Sequence, residues 1–233
     1  MYGNCPTSIA RVWGWLRLSK LSSSPLLYLI TDRHQYALNS HEQLEAIAAA
    51  TQAGCQLIQI REKDLSTRSL CEFVRAAMQV AHRNGARVLV NDRLDVALAT
   101  GADGIHLRTN SLPTSEIRRL VTTPHFLIGV STHSLNEAQI AAASGASFVV
   151  CGPVFPTPSK AIYGEPMGLE IFAEICQRVT CPVLALGGIT MSNFSHALNS
   201  GASGLAGISL FKNSHTLVSN IKIMLSSRLD PQD

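Results

Sequence analysis

Charge is scarce in this sequence: Asp, Glu, Lys and Arg make up 15% of it, and 19 basic against 16 acidic residues leave a formal charge of +3. The basic residues are scattered rather than striped, so there is no electrostatic footprint of a nucleic-acid binder. Small phosphate-bearing molecules remain within its means. Paired cysteines are also missing. Cys5, Cys55, Cys71, Cys151, Cys176 and Cys181 show no C-x-x-C spacing, and most lie inside apolar runs, where they read as reduced core residues. No apolar run approaches the roughly 18 residues that a membrane span needs. Arg11, Arg17 and Lys20 interrupt the N-terminal segment, where a signal peptide requires an unbroken apolar core. These absences predict a cytoplasmic enzyme with neither a nucleic-acid nor a membrane partner.

What the chain does contain is a recurring unit. Its 233 residues, 46% of them hydrophobic, suit one domain with a large core. Eight short apolar runs read as strands: Leu26–Thr31, Cys55–Arg61, Ala86–Asn91, Gly104–Leu107, Phe126–Gly129, Ser147–Cys151, Pro182–Leu186 and Gly204–Ile208. Their continuous apolar character fits parallel strands buried on both faces. Between them, residues such as Leu44, Ile47 and Ala48, or Leu70, Phe73, Val74, Ala77 and Val80, recur near the 3.6-residue helical period. Gly-Ala or Ala-Gly pairs at 53–54, 101–102, 145–146 and 201–202 lie where a helix closes and the next strand begins. Eight βα units predict a single-domain α/β fold, a (β/α)8 TIM barrel over residues 26–228, with an open doubly wound sheet as the alternative. Residues 1–25 form an N-terminal extension with no assigned role. Barrels of this type often pair, so a homo-oligomer is compatible with the sequence.

A barrel of this kind builds its site at the C-terminal ends of its strands. Strand two ends in Gln59, Arg61, Glu62, Lys63 and Asp64, of which Gln59, Arg61 and Lys63 alternate onto one face. Arginine's planar fork and lysine's compact charge together suit a pyrophosphate, although the same cluster reads equally as a solvated strand end. Strand three ends in Asn91-Asp92-Arg93, where Asn91 can donate to phosphate and Asp92 can hold Mg²⁺; the pair is also a plausible helix cap. After strand five come Ser131, Thr132, His133 and Ser134, the last forming a capping-box pattern with Glu137. The loop from Gly152 to Lys160 combines three prolines with Thr157, Ser159 and Lys160. Gly187-Gly188 and Gly207-Ile208-Ser209 then end strands seven and eight, the usual phosphate-binding corner of a barrel.

Taken together, Leu27–Asp32, Gln59–Asp64, Asn91–Arg93, Gly101–Leu107, Gly129–Ser134, the Gly152–Lys160 loop and Ala185–Ile189 resemble the thiamine-phosphate synthase and TenI family over about residues 26–212. The resemblance implies a thiamine biosynthesis reaction in which a thiazole phosphate displaces pyrophosphate from an aminopyrimidine-methyl pyrophosphate, with Mg²⁺ as cofactor. By matching position, Gln59, Arg61, Lys63, Asn91, Ser131 and Lys160 face the pyrimidine pyrophosphate, and Asp92 binds the metal. Thr157, Ser159, Gly188, Ile208 and Ser209 hold the thiazole phosphate.

One segment departs from that pattern. The synthases continue after His106-Leu107 with Gly-Gln-x-Asp, whose carboxylate is a second magnesium ligand, whereas this chain has Arg108-Thr109-Asn110-Ser111. Serine is a poor replacement for a charged oxygen donor. The departure is shared with the TenI branch, whose thiazole tautomerase moves a proton without metal, with a residue matching His133 as the shuttle. A tautomerase, or a binder of thiamine intermediates without turnover, is therefore the alternative to the synthase.

Overall fold

The computed structural model describes residues 24–36, 39–123, 125–157, 165–211 and 216–227. The first 23 residues, with most of the predicted extension, lie outside the described residues, as do Ser159 and Lys160. The strands are β1 (Leu26–Ile30), β2 (Leu57–Ile60), β3 (Arg87–Asn91), β4 (Gly104–Leu107), β5 (Leu127–Thr132), β6 (Phe148–Cys151), β7 (Val183–Ala185) and β8 (Gly204–Gly207). Each pairs in parallel with its sequence neighbour, and β8 pairs with β1, closing the barrel. Closure excludes the open sheet.

A helix follows every strand: α1 (Ser40–Gln52), α2 (Thr67–His82), α3 (Leu94–Thr100), α4 (Thr114–Leu120), α5 (Leu135–Ala143), α6 (Gly168–Arg178), α7 (Phe194–Asn199) and α8 (Leu217–Ser226). Local chemistry starts them. Asn39 accepts from the backbone N–H of His41 and Glu42, while the Glu42 carboxylate accepts from the Asn39 N–H, a reciprocal cap that opens α1. Ser66 and Ser134 cap α2 and α5 one way, each Oγ accepting from the backbone N–H three residues on, of Ser69 and Glu137.

Side-chain alternation divides the core in two. Tyr28, Ile30, Leu57, Leu89, Leu127, Phe148, Val150, Leu184 and Ala206 fill the barrel interior. Residues of the other parity, such as Leu27, Ile58, Val88, Val90 and Ile128, pack outward against the helices. Gly129 belongs to the inner set, and a Cβ there would meet Phe148 at 2.6 Å and His106 at 2.7 Å. Its missing side chain is the space that the His106 ring fills.

Two structural polar groups lock strand starts, at the end opposite the site. Asp103, before β4, accepts from the Val88 N–H (2.8 Å), Arg87 (2.9 Å) and His82 (2.7 Å). Arg118, on α4, donates to the carbonyls of Phe126 (2.6 Å) and Gly145 (2.8 Å) and to Ser147 Oγ (2.8 Å). The thiols also behave as core: burial pushes Cys55 up to about 12 and Cys151 up to about 11.

Candidate active site

At the C-terminal end of the barrel the interior turns from apolar to polar. Gln59 on β2 and His106 on β4 are buried, Asn91 on β3 and Ser131 on β5 are half-buried, and Asn91 lies beside His106 in register. They are joined through the barrel axis. Gln59 Nε2 donates to Tyr28 Oη (3.1 Å), Tyr28 Oη meets His106 Nδ1 (3.3 Å), and His106 Nε2 meets Ser131 Oγ (2.9 Å). A neutral imidazole has one N–H and one acceptor nitrogen, so His106 donates to one of Tyr28 and Ser131 and accepts from the other. Burial first, and the charge of Arg61 second, push His106 down to about 3 against an upward pull from Asp92. The imidazole is therefore neutral at physiological pH.

Sequence reading assigned no role to Tyr28 or His106. The available signal was parity: both stand at inward positions of their strands, in line with Gln59 and Ser131. Strand β5 is also longer than expected, continuing to Thr132 because Ser131 and Thr132 still pair with Val150 and Cys151. Ser131 is thereby a strand residue with a fixed inward direction.

Above this row stands the charged cluster after β2, and the structure splits it. Arg61, a quarter exposed, bonds Asp32 at 3.0 Å while its N–H donates to Thr31 Oγ1 at 2.9 Å. It stands directly after the C-terminal end of β2, at the barrel rim. Lys63 is exposed, three residues beyond the end of β2. Glu62 turns the other way, buried, accepting from Gln43 of α1 (2.8 Å) and facing Arg33 (3.5 Å). Beside this rim opens a cavity of about 400 Å³ walled by Thr31, Asp32, Gln43, Ile208 and Phe211 among others.

The residues after β3 do not cap the next helix. The N-cap of α3 is Arg93, without a side-chain cap bond. Asp92 instead adopts φ 57°, the one left-handed non-glycine among the described residues. Its Oδ2 accepts from Nε (2.8 Å) and Nη2 of Arg108, and its Oδ1 accepts from Ser111 Oγ. Both oxygens of the expected magnesium ligand are thus engaged by protein donors. No group of three His, Cys, Asp or Glu side chains that could hold a metal occurs among the described residues. One engaged carboxylate, a hydroxyl and a guanidinium do not fit a protein-held Mg²⁺.

The opposite rim is built from the loops after β6, β7 and β8. Val154 and Phe155 donate N–H groups to the carbonyls of Leu186 (2.9 Å) and Gly187 (3.1 Å), zipping the first two loops together. Gly188 has φ +66°, and a Cβ there would lie 2.5 Å from the Pro156 carbonyl oxygen, so the chains can approach this closely only without a side chain. Asn193 Nδ2 holds the Gly188 carbonyl at 2.9 Å. Half-buried Ile208 packs on the inner cluster, Ser209 opens a 3-10 turn, Ser209–Phe211, and Thr157 ends the described part of its loop. His133 donates from Nδ1 to the Gly152 carbonyl, and its backbone N–H donates to Glu137 (2.7 Å), so the ring is anchored between β5 and the β6 loop.

Comparison with known proteins agrees over all eight strands. The family model described as thiamine monophosphate synthase matches residues 27–211, which include every described rim residue named above from Gln59 to Ser209. A thiamine-phosphate synthase of Methanoculleus marisnigri is 44% identical over 183 residues, 78% of this chain and 85% of that protein. One from Roseiflexus sp. is 38% identical over 188 residues, 81% of this chain and 78% of that protein. A solved thiamine phosphate pyrophosphorylase from Pyrococcus furiosus superimposes with a TM-score of 0.76 at 32% identity, covering 88% of this chain and 95% of that one. With the closed barrel, its polar mouth and this extent of similarity, the chain belongs to the thiamine monophosphate synthase family.

Proposed function

We propose that this chain is a thiamine-phosphate synthase, a transferase that joins an aminopyrimidine-methyl pyrophosphate to a thiazole phosphate. The bond between the pyrimidine methylene carbon and the pyrophosphate oxygen breaks, with its electron pair leaving on pyrophosphate. The thiazole nitrogen lone pair then forms the new carbon–nitrogen bond. No enzyme nucleophile is required, so catalysis rests on positioning two substrates and stabilising the departing charge.

The observation that carries this reading is the polar row Gln59–Tyr28–His106–Ser131 at the floor of a mouth that Arg61 overlooks. In this reading Gln59, Asn91 and Ser131 orient the pyrimidine and the first phosphate, and neutral His106 directs the Ser131 hydroxyl. Arg61, Lys63 and Lys160 receive the pyrophosphate charge. Thr157, Ser159, Gly188, Ile208 and Ser209 take the thiazole phosphate, with backbone N–H groups at the zipped loops as donors. Members of the family typically use Mg²⁺. Asp92 is engaged by Arg108 and Ser111, so the residue roles here are assigned without a metal.

The test is pyrophosphate release from the pyrimidine substrate with and without thiazole phosphate. Release that depends on thiazole phosphate and falls at least 100-fold in Asn91→Ala is the expected result. Deuterium from heavy water entering a thiazole carboxylate phosphate, with no coupling, would replace the synthase by a tautomerase. Thiazole phosphate binding with neither reaction would leave only a binding protein.

A further inference from the structure

The family resemblance places a second acidic ligand four residues beyond Leu107, where this chain has Ser111, with Arg108 ahead of it. The geometry points to a replacement of metal charge by protein charge: Arg108, clamped by Asp92, is a pyrophosphate-binding residue that allows this chain to hold pyrophosphate without a divalent ion. The inference rests on the synthase reading, because it assigns a ligand to the same mouth.

Four observations carry it. First, the clamp is built rather than incidental. Arg108 uses Nε and Nη2 on one Asp92 oxygen, Ser111 Oγ takes the other, and that Oγ also accepts from the Arg108 N–H at 2.8 Å. The Ser111 N–H returns to the Arg108 carbonyl at 3.0 Å, so residues 108–111 form a closed turn around the carboxylate. Second, Asp92 is held for this purpose: its left-handed backbone aims the carboxylate across to the β4 loop, and its N–H is fixed on the His106 carbonyl at 2.9 Å.

Third, the fork is not exhausted. A guanidinium has five N–H donors, and two are spent on Asp92, leaving three, on a side chain that is 56% exposed at the barrel mouth. Paired donors on a planar fork suit two phosphate oxygens. Fourth, the charge balances. Two carboxylates around Mg²⁺ sum to zero, and so do Asp92 and Arg108. Without Arg108 the Asp92 carboxylate would face the incoming pyrophosphate as a bare like charge, a repulsion that the guanidinium removes while its remaining N–H donors face outward.

The experiment titrates inorganic pyrophosphate into the full chain by calorimetry, once in EDTA and once in excess Mg²⁺. The expected result is binding in EDTA that weakens at least tenfold in Arg108→Ala and is partly retained in Arg108→Lys. The pair Arg108→Gly with Ser111→Asp should reverse the dependence, binding pyrophosphate at least tenfold more tightly with Mg²⁺ than in EDTA. Thermal melts of each variant verify folding. Wild-type binding that requires Mg²⁺, or an Arg108→Ala variant unchanged in EDTA, overturns the proposal. Substrate coupling measured on the same samples separates the two levels: coupling that persists while EDTA binding fails leaves the synthase reading and removes the role of Arg108. Absent coupling with Arg108-dependent binding removes the synthase and leaves the anion site.

Discussion

His106 enters the folded barrel with its proton affinity reduced, burial being the larger cause and Arg61 the second, so its value falls from an ordinary 6.5 to about 3. Above pH 6.5 neither the folded nor the unfolded state protonates it, and the full stability is present. As pH falls below 6.5 the unfolded chain takes up a proton that the folded one refuses. Stability therefore drops by up to about 1.4 kcal/mol per pH unit until the folded value is reached. Urea denaturation at pH 7.5 and pH 5 should show wild type losing about 2 kcal/mol more than His106→Asn. Identical losses in the two proteins would mean that the imidazole is not held neutral. Single residues were also where sequence reading was least reliable. Asn91-Asp92 looked equally like a helix cap, because a carboxylate before a helix has the same spelling whether it caps or turns aside. Only the left-handed backbone at Asp92 and its contact with Arg108 distinguish the two.

Among the elements, the strands were legible at their starts and obscure at their ends. Apolar runs reveal a strand only while its side chains are buried in hydrocarbon. At the barrel mouth the same strand continues with polar residues, which is why β5 was read to Gly129 but pairs through Thr132. Helix faces show a similar effect: on α1 the buried position is Gln43 rather than Leu44, because Gln43 has Glu62 to donate to. Lys63 was expected to share a face with Gln59 and Arg61, yet β2 ends at Ile60 and alternation no longer governs an exposed residue three positions later. The zipped loops after β6 and β7 make a separate prediction. Gly188→Ala forces a side chain against the Pro156 carbonyl in a left-handed backbone, costing roughly 1–3 kcal/mol. Calorimetry should find thiazole phosphate bound at least tenfold more weakly and pyrophosphate unaffected. Equal weakening of both ligands would remove the division of the mouth into two subsites.

At the scale of the whole molecule, the structural contacts of Asp103 and Arg118 lie at the end opposite the proposed site, as in barrels of this type. Closure was legible because eight buried runs of similar length, each followed by a helical period, leave no edge strand to protect. Arg118 tests the separation. It ties α4 to the start of β5 and to the turn before β6 through three hydrogen bonds, and its burial lowers its pKa. Arg118→Ala leaves buried acceptors unmet and should cost about 2–3 kcal/mol in urea denaturation. Its turnover per folded molecule should be unchanged, and a parallel loss of turnover would show that the two ends are coupled.

The most direct measurement mixes the purified chain with aminopyrimidine-methyl pyrophosphate and thiazole phosphate and quantifies both products by mass spectrometry. Thiamine phosphate and pyrophosphate should appear in equal amounts, and should still appear when EDTA removes divalent ions. Intact substrates after prolonged incubation at saturating Mg²⁺, with the protein folded and thiazole phosphate bound, would contradict a synthase site at this barrel mouth.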